Sequence, residues 1–340
     1  MTDTMPRPDV AAFLAYIAEP AAPPISALPV EAARLMMRAN CAVADLPPLP
    51  IARVQDWTVP GPAGPLAARL YDRRLDRMSG PLVLFFHGGG FVIGDLGTHH
   101  SFCTWLADTL DLPVLAIDYR LAPEHPFPAA VDDAEAAARW IADAPDVFGF
   151  RVAGLIPCGD SAGGNLAIVT SQQLALRPAA VPVQACWALY PYVGGGKDWP
   201  SHRAFGTGYF LAADDMAWFD AQYRATPGDP RHDCLHGPVP PVPLLLHTAG
   251  LDPLRDAARA YADRVERAGV PVTRLEAAGM IHGFVHFRQA LPSAQQDCAA
   301  FAEAARAMLA RAGLVGQGDD GGFAHSPGAR QDRTSGRLSS

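Results

Sequence analysis

Apolar residues change their spacing twice along this chain. Residues 10–40 carry them at helical intervals, with a break at PAAPP, and the proline-rich stretch ADLPPLP (44–50) then acts as a linker. Two runs, RVQDWTVP and PLAARLYD, flank GPAG and read as a pair of strands joined by a turn. From residue 81 the runs become short and continuously apolar: PLVLFF, LPVLAIDY, VAGLIPC, VQACWALY and VPLLLHTAG. Such runs suit strands buried on both faces. Helical stretches lie between several of them, at 98–110, 128–143, 162–176 and 254–268, and a last strand, PVTRLE, precedes a last helix at 293–312. This alternation predicts an α/β domain with a mainly parallel central sheet flanked by helices.

Two segments stand outside the alternation. One is the N-terminal helical piece, residues 1–45. The other is 193–231, where GYFLAADDMAWFDAQYR predicts a helix begun near Asp214. Both are expected to form a helical cap over one end of a catalytic core made of residues 46–192 and 232–315. Residues 316–340 are rich in Gly, Ser and Asp and nearly free of apolar side chains, which predicts a disordered tail.

Composition narrows the function classes. Of 340 residues, 49% are apolar and 18% charged, with a formal net charge of −8 and no basic block. That is globular composition without the electrostatic footprint of a nucleic-acid binder. No run approaches the 18 or so apolar residues of a membrane span, and VAAFLAYIA near the N-terminus has no basic leader. A cytoplasmic protein is expected. The cysteines, Cys41, Cys103, Cys158, Cys186, Cys234 and Cys298, are scattered without metal-ligand spacing and are expected to be reduced thiols; no metal site is predicted.

The chemistry begins at FFHGGGFVIGD (85–95), where Gly88, Gly89 and Gly90 follow an apolar run. Three successive glycines are costly to order and imply that something approaches the backbone closely. A phosphate loop fails on detail, because neither glycine cluster has the G-K-[ST] ending or a proper G-x-G-x-x-G. CGDSAGGNLA (158–167) supplies the other reading. Gly159, Ser161 and Gly163 fit G-x-S-x-G after a strand and at the start of a helix, the turn that projects a nucleophilic serine. With HGGG upstream, the N–H groups of Gly88 and Gly89, together with that of Ala162, are expected to receive the oxyanion of a carbonyl under attack.

A serine needs a base, and the base an orienting acid. His282 follows the last strand, and Gly283 leaves room around it; His286, one turn on, is expected to point back into helix packing. His247 lies within an apolar strand and reads as a packed core histidine. Asp252, in HTAGLDPLRD, sits in the turn after a strand, where it could orient the imidazole or simply cap a helix; Asp256 lies inside that helix. Phe13, Tyr16, Phe205 and Phe210 are candidates for lining a substrate pocket, or for ordinary packing between cap helices.

HGGGFVIGDLGTHH, DYRLAPEHPFPAAVDD, GDSAGGNLA, GLDPLRD and IHGF together resemble the hormone-sensitive lipase family, the bacterial family IV esterases of the α/β-hydrolase superfamily, in the branch with a GDSAG elbow. The similarity runs from about residue 50 to 312. It implies a capped α/β-hydrolase fold that cleaves carboxylic esters through an acyl-enzyme without metal or cofactor, and a pocket closed by the cap would suit short- to medium-chain esters. Ser161 would be nucleophile, Asp252 acid and His282 base; Gly88, Gly89 and Ala162 would form the oxyanion hole, with His87 and Asp160 supporting the glycine turns. Ala257 departs from the acidic residue common after DPLRD, and the tail has no counterpart. The implied partner is a small-molecule ester, and a homodimer is an expectation by analogy. The rival classes are an amidase or peptidase with the same triad, and a ligand-binding protein that has lost turnover.

Overall fold

The computed structural model describes residues 5–19, 23–194, 196 and 198–313. The expected tail, 316–340, lies outside them.

A hairpin opens the sheet: β1 (Arg53–Gly61) pairs antiparallel with β2 (Gly64–Asp72), with Gly61 opposite Gly64 across a two-residue turn. Then follow β3 (Ser79–Phe86), β4 (Val114–Asp118), β5 (Arg151–Asp160), β6 (Cys186–Leu189), β7 (Leu244–Leu251) and β8 (Val272–Ile281). The order across the eight-stranded sheet is β1-β2-β4-β3-β5-β6-β7-β8, and β3 to β8 pair in parallel. The continuous apolar runs are buried along nearly their whole length because both sheet faces are covered.

The helices are α1 (Pro8–Ala18), α2 (Val30–Ala44), α3 (His100–Leu110), α4 (Ala129–Asp143), α5 (Ala162–Leu176), α6 (Pro200–Phe205), α7 (Ala213–Tyr223), α8 (Arg255–Arg267) and α9 (Ala294–Arg311). Successive side chains of β3 go to opposite layers, as the two-residue period of a strand requires. Leu82, Leu84 and Phe86 join a core with Ala134, Ile141, Leu166 and Tyr261 from α4, α5 and α8. Val83 and Phe85 join the other core, with Phe102 and Leu106 of α3 and Phe301 and Met308 of α9. All six cysteines are buried and free.

β8 runs past the expected PVTRLE to Ile281, so His282 leaves the strand directly. Its register shifts opposite Ala249 and Leu251, where Gly279 takes φ +70°; a Cβ there would stand 2.8 Å from the Met5 carbonyl oxygen. After His282 the chain makes only a short 3-10 turn, Phe284–His286, before α9.

Arg7 pairs with both oxygens of Asp297 at 2.6 and 2.8 Å, holding α1 to α9. Arg288 makes a buried two-pronged pair with Asp45 at the end of α2, 2.8 Å on each arm. The Ser26 N–H donates to Asp215 at 3.1 Å, joining the N-terminal helices to α7.

Candidate active site

β5 ends at Asp160 and α5 begins at Ala162, which leaves Ser161 alone at the turn with φ 55° and ψ −116°. A non-glycine residue in so sparse a region costs of order 1–3 kcal/mol and persists only when its surroundings fix it. Here the Ser161 N–H donates to the Leu189 carbonyl at 2.9 Å, and its own carbonyl accepts from Asn165 and Tyr192, both at 3.1 Å. The flanking glycines are required by close approach. A Cβ on Gly163 would lie 1.9 Å from the Phe86 oxygen, and one on Gly159 would lie 2.4 Å from Gly163.

Ser161, Asp252 and His282 come together from the C-terminal ends of β5, β7 and β8. His282 Nε2 is 2.9 Å from Ser161 Oγ, and its Nδ1 is 2.7 Å from Asp252 Oδ2. An ionised carboxylate only accepts, so Nδ1 carries the proton and Nε2 offers its lone pair to the serine hydroxyl. The other Asp252 oxygen accepts the Leu254 N–H at 2.8 Å and so holds the turn before α8, whose own N-cap is Leu254. Asp256 is occupied elsewhere, accepting the Ser201 N–H and pairing with Arg255 and Arg259. His247 is a packed core histidine, edge-on to Phe284 at 5.3 Å.

The glycine turn departs from expectation at Gly88. Its N–H donates to Asp160 Oδ1 at 2.9 Å, so it is turned away from an incoming carbonyl. Gly89 and Gly90 border the cavity beside Ser161 and Ala162 instead, and their N–H groups have no protein partner among the described residues. The Gly89 carbonyl accepts from both Val92 and Ile93 at 3.0 Å, which fixes the turn. Gly89 (φ +116°) and Gly90 (φ +60°) use conformations that disfavour side chains, and a Cβ on Gly90 would stand 2.3 Å from the Phe219 ring. His87 braces this turn from below. Its Nδ1 donates to the Gly88 carbonyl at 2.8 Å, its ring stacks on Tyr119 at 4.2 Å, and Tyr119 Oη donates to the His87 carbonyl at 2.6 Å. Burial pushes the His87 imidazole down to about 4.

Asp160 is fully buried. Burial alone would push its carboxyl up, but the neighbouring His99, with His286 and His87, outweighs that and holds it well below the usual carboxylate range. His99, absent from the sequence-based set, lies 3.0 Å from Asp160 Oδ1. His286 also differs from expectation. The 3-10 turn after Gly283 (φ +77°) directs its ring to His99 and the cavity wall, not into helix packing. No spacing rule would have singled out either residue, since their partner comes from β5.

The cavity over Ser161 measures about 540 Å³ and is mostly apolar. Of the four aromatic candidates Phe210 lines it, with Met36, Met37, Met216, Phe219 and Phe287. Phe13 packs behind this wall, 5.1 Å from the Phe287 ring centre and 6.4 Å from that of Phe210. Phe205 is buried outside the cavity lining, and Tyr16 faces solvent.

Residues 83–286 match the family model described as alpha/beta hydrolase fold. The chain is 39% identical over 278 residues to carboxylic ester hydrolase LipN of Mycobacterium tuberculosis, covering 76% of this chain and 71% of that one. It is 36% identical over 251 residues to ethyl acetate hydrolase of Pseudomonas putida, covering 72% and 79%. Among solved structures, ester-hydrolase EH1AB1 from the Lake Arreo metagenome superposes with a TM-score of 0.84 at 36% identity, over 91% of this chain and 100% of that one. An esterase from Pyrobaculum calidifontis gives 0.81 at 34% identity, over 91% and 100%. The expected membership therefore holds: this chain belongs to the α/β-hydrolase family, among the hormone-sensitive-lipase-like (family IV) esterases.

Proposed function

We propose that the protein hydrolyses short- to medium-chain carboxylic esters through an acyl-enzyme on Ser161, with His282 as base and Asp252 as its orienting acid. The observation that carries the reading is the continuous relay from Asp252 through His282 to Ser161, with contacts of 2.7 and 2.9 Å, at the floor of an apolar cavity.

His282 Nε2 takes the Ser161 proton as Oγ bonds to the ester carbonyl carbon, and the carbonyl oxygen becomes an oxyanion. The donors that suit this oxyanion are the N–H groups of Gly89, Gly90 and Ala162, with Gly88 serving to hold the turn. One such donor is typically worth about 2.7–4 kcal/mol of transition-state stabilisation. The C–O bond to the alcohol then breaks, and the alkoxide leaves with the proton from Nε2. A water deprotonated by the same nitrogen attacks the acyl-serine, and collapse of the second tetrahedral species releases the acid and restores the Ser161 hydroxyl.

In this reading residues 1–45 and 193–231 act as the cap. Their side chains supply Met36, Met37, Phe210, Met216 and Phe219 to the cavity, whose volume of about 540 Å³ suits small esters. Six buried free thiols suit a reducing, cytoplasmic setting. No helix among the described residues is long and apolar enough to cross a membrane. β8 lies at the edge of the sheet, which gives a homodimer a place to form, and sedimentation would test it.

The test is initial rates on p-nitrophenyl esters from acetate to palmitate, for the native protein and Ser161→Ala. Fast turnover of the short esters, lost on substitution, is expected. A folded native protein that turns over none of them would overturn the assignment.

A further inference from the structure

We propose that His99, Asp160 and His286 form a binding site for one divalent first-row transition-metal ion, held by two imidazole nitrogens and a carboxylate. The three side chains come from the start of α3, the end of β5 and the 3-10 turn after β8, and all are buried. His99 Nε2 is 3.0 Å from Asp160 Oδ1 and 2.6 Å from His286 Nε2, which in turn is 4.0 Å from Asp160 Oδ2.

The three ligand atoms share one buried point, all lying within 4.8 Å of one another. His99 Nε2 has both Asp160 Oδ1 and His286 Nε2 within hydrogen-bond reach, and the Thr98 hydroxyl stands 2.9 Å from His99 Nδ1. The Gly88 N–H serves Asp160 Oδ1 at 2.9 Å. A metal ion would take the place of the hydrogen held among these atoms, which leaves to solvent as the ion binds. Thr98 would then be the outer partner that fixes the His99 ring.

Two imidazoles and one carboxylate on one face, with the opposite side open, is a donor set for iron, cobalt, nickel or zinc rather than for calcium or magnesium. Bonds of about 2.1 Å on one octahedral face place donors about 3 Å apart. The His99–Asp160 spacing meets this as it stands. His286 must move away from His99 by a few tenths of an ångström and toward Asp160, whose Oδ2 is 4.0 Å away, by at least about 1 Å. Asp160 and His286 both line the cavity over Ser161, so water can complete the coordination. Neither the triad nor the proposed oxyanion donors are ligands, although Asp160 also holds the glycine turn through Gly88.

Cobalt(II) alone is the probe, added to the full-length protein and followed by visible d–d absorption and by calorimetry. One equivalent is expected to bind. His286→Gln and His99→Gln should each weaken binding at least tenfold, while His282→Gln, which removes the triad imidazole, should leave it intact. Absence of a saturable band in the native protein would overturn the proposal. So would a band that survives both ligand substitutions, or one that disappears with His282→Gln. Two ligand variants guard against one failing to fold, and circular dichroism reports that directly. The readout needs no turnover, so it stands whether or not ester hydrolysis is found.

Discussion

Asp160 Oδ1 accepts the Gly88 N–H at 2.9 Å, so the residue just before Ser161 holds the turn that carries the proposed oxyanion donors. The link is tight, since a Cβ on Gly88 would come within 2.4 Å of the same carboxylate. Asp160→Asn removes the charge from this contact and from the one to His99. The expected outcome is a fall in kcat of about 10- to 100-fold with KM within about threefold, the pattern for an interaction made in the transition state. Steady-state rates on p-nitrophenyl butyrate check it, and an unchanged kcat would separate Asp160 from the oxyanion turn.

Asp252→Asn keeps an acceptor for the Leu254 N–H while giving His282 Nδ1 a neutral partner. The protein is expected to fold with little change in Tm and to lose about 10⁴-fold in kcat, as when the imidazole is left in the wrong tautomer. A large drop in Tm would instead assign Asp252 mainly to holding the turn before α8.

Gly90→Ala meets two obstacles, the Phe219 ring at 2.3 Å and a backbone φ of +60°. The single variant should be nearly inactive. Adding Phe219→Ala removes the collision but leaves the backbone cost of about 1–2 kcal/mol. The pair should therefore regain activity only in part. Full recovery would make the ring contact the sole constraint, and no recovery would make it the backbone.

Burial, with the Arg7 charge beyond it, pushes the His247 imidazole down to about 3. The folded state therefore leaves it neutral while the unfolded chain takes up a proton below about pH 6.5. Its contribution to stability is intact above that pH and is lost as pH falls toward 3. Between pH 7 and pH 5 the native protein should lose about 2 kcal/mol more than His247→Gln. Urea midpoints at the two pH values measure this, and equal losses would exclude His247 as the source.

The strands and helices were legible because fully buried parallel strands are apolar along their length and the helices between them keep their own period. The helix of 254–268 appears as Arg255–Arg267, and that of 293–312 as Ala294–Arg311. The triad was legible because each member sits where a strand ends. The sequence did not show which glycine amides face the cavity, since that depends on a carboxylate 72 residues away from Gly88. A continuing α-helix after His282 would turn His286 into helix packing, whereas Gly283 starts a 3-10 turn that sends its ring toward His99. His99 had no pattern to mark it at all. Met36 and Met37 carried no signal, yet they line the cavity; the four aromatic candidates divided between lining, backing, core and solvent.

The cavity wall draws on α2 and on the segment from Phe210 to Tyr223, while the reacting groups come from strand ends in the sheet. Asp45 ties α2 to the core through Arg288, and the Ser26 N–H ties the N-terminal segment to α7 through Asp215. Selection can thus rewrite one without disturbing the other. Under a changing diet of substrates, a lineage carrying this architecture would diverge first in its methionines and phenylalanines, and its preference for one ester over another would drift long before its reaction did.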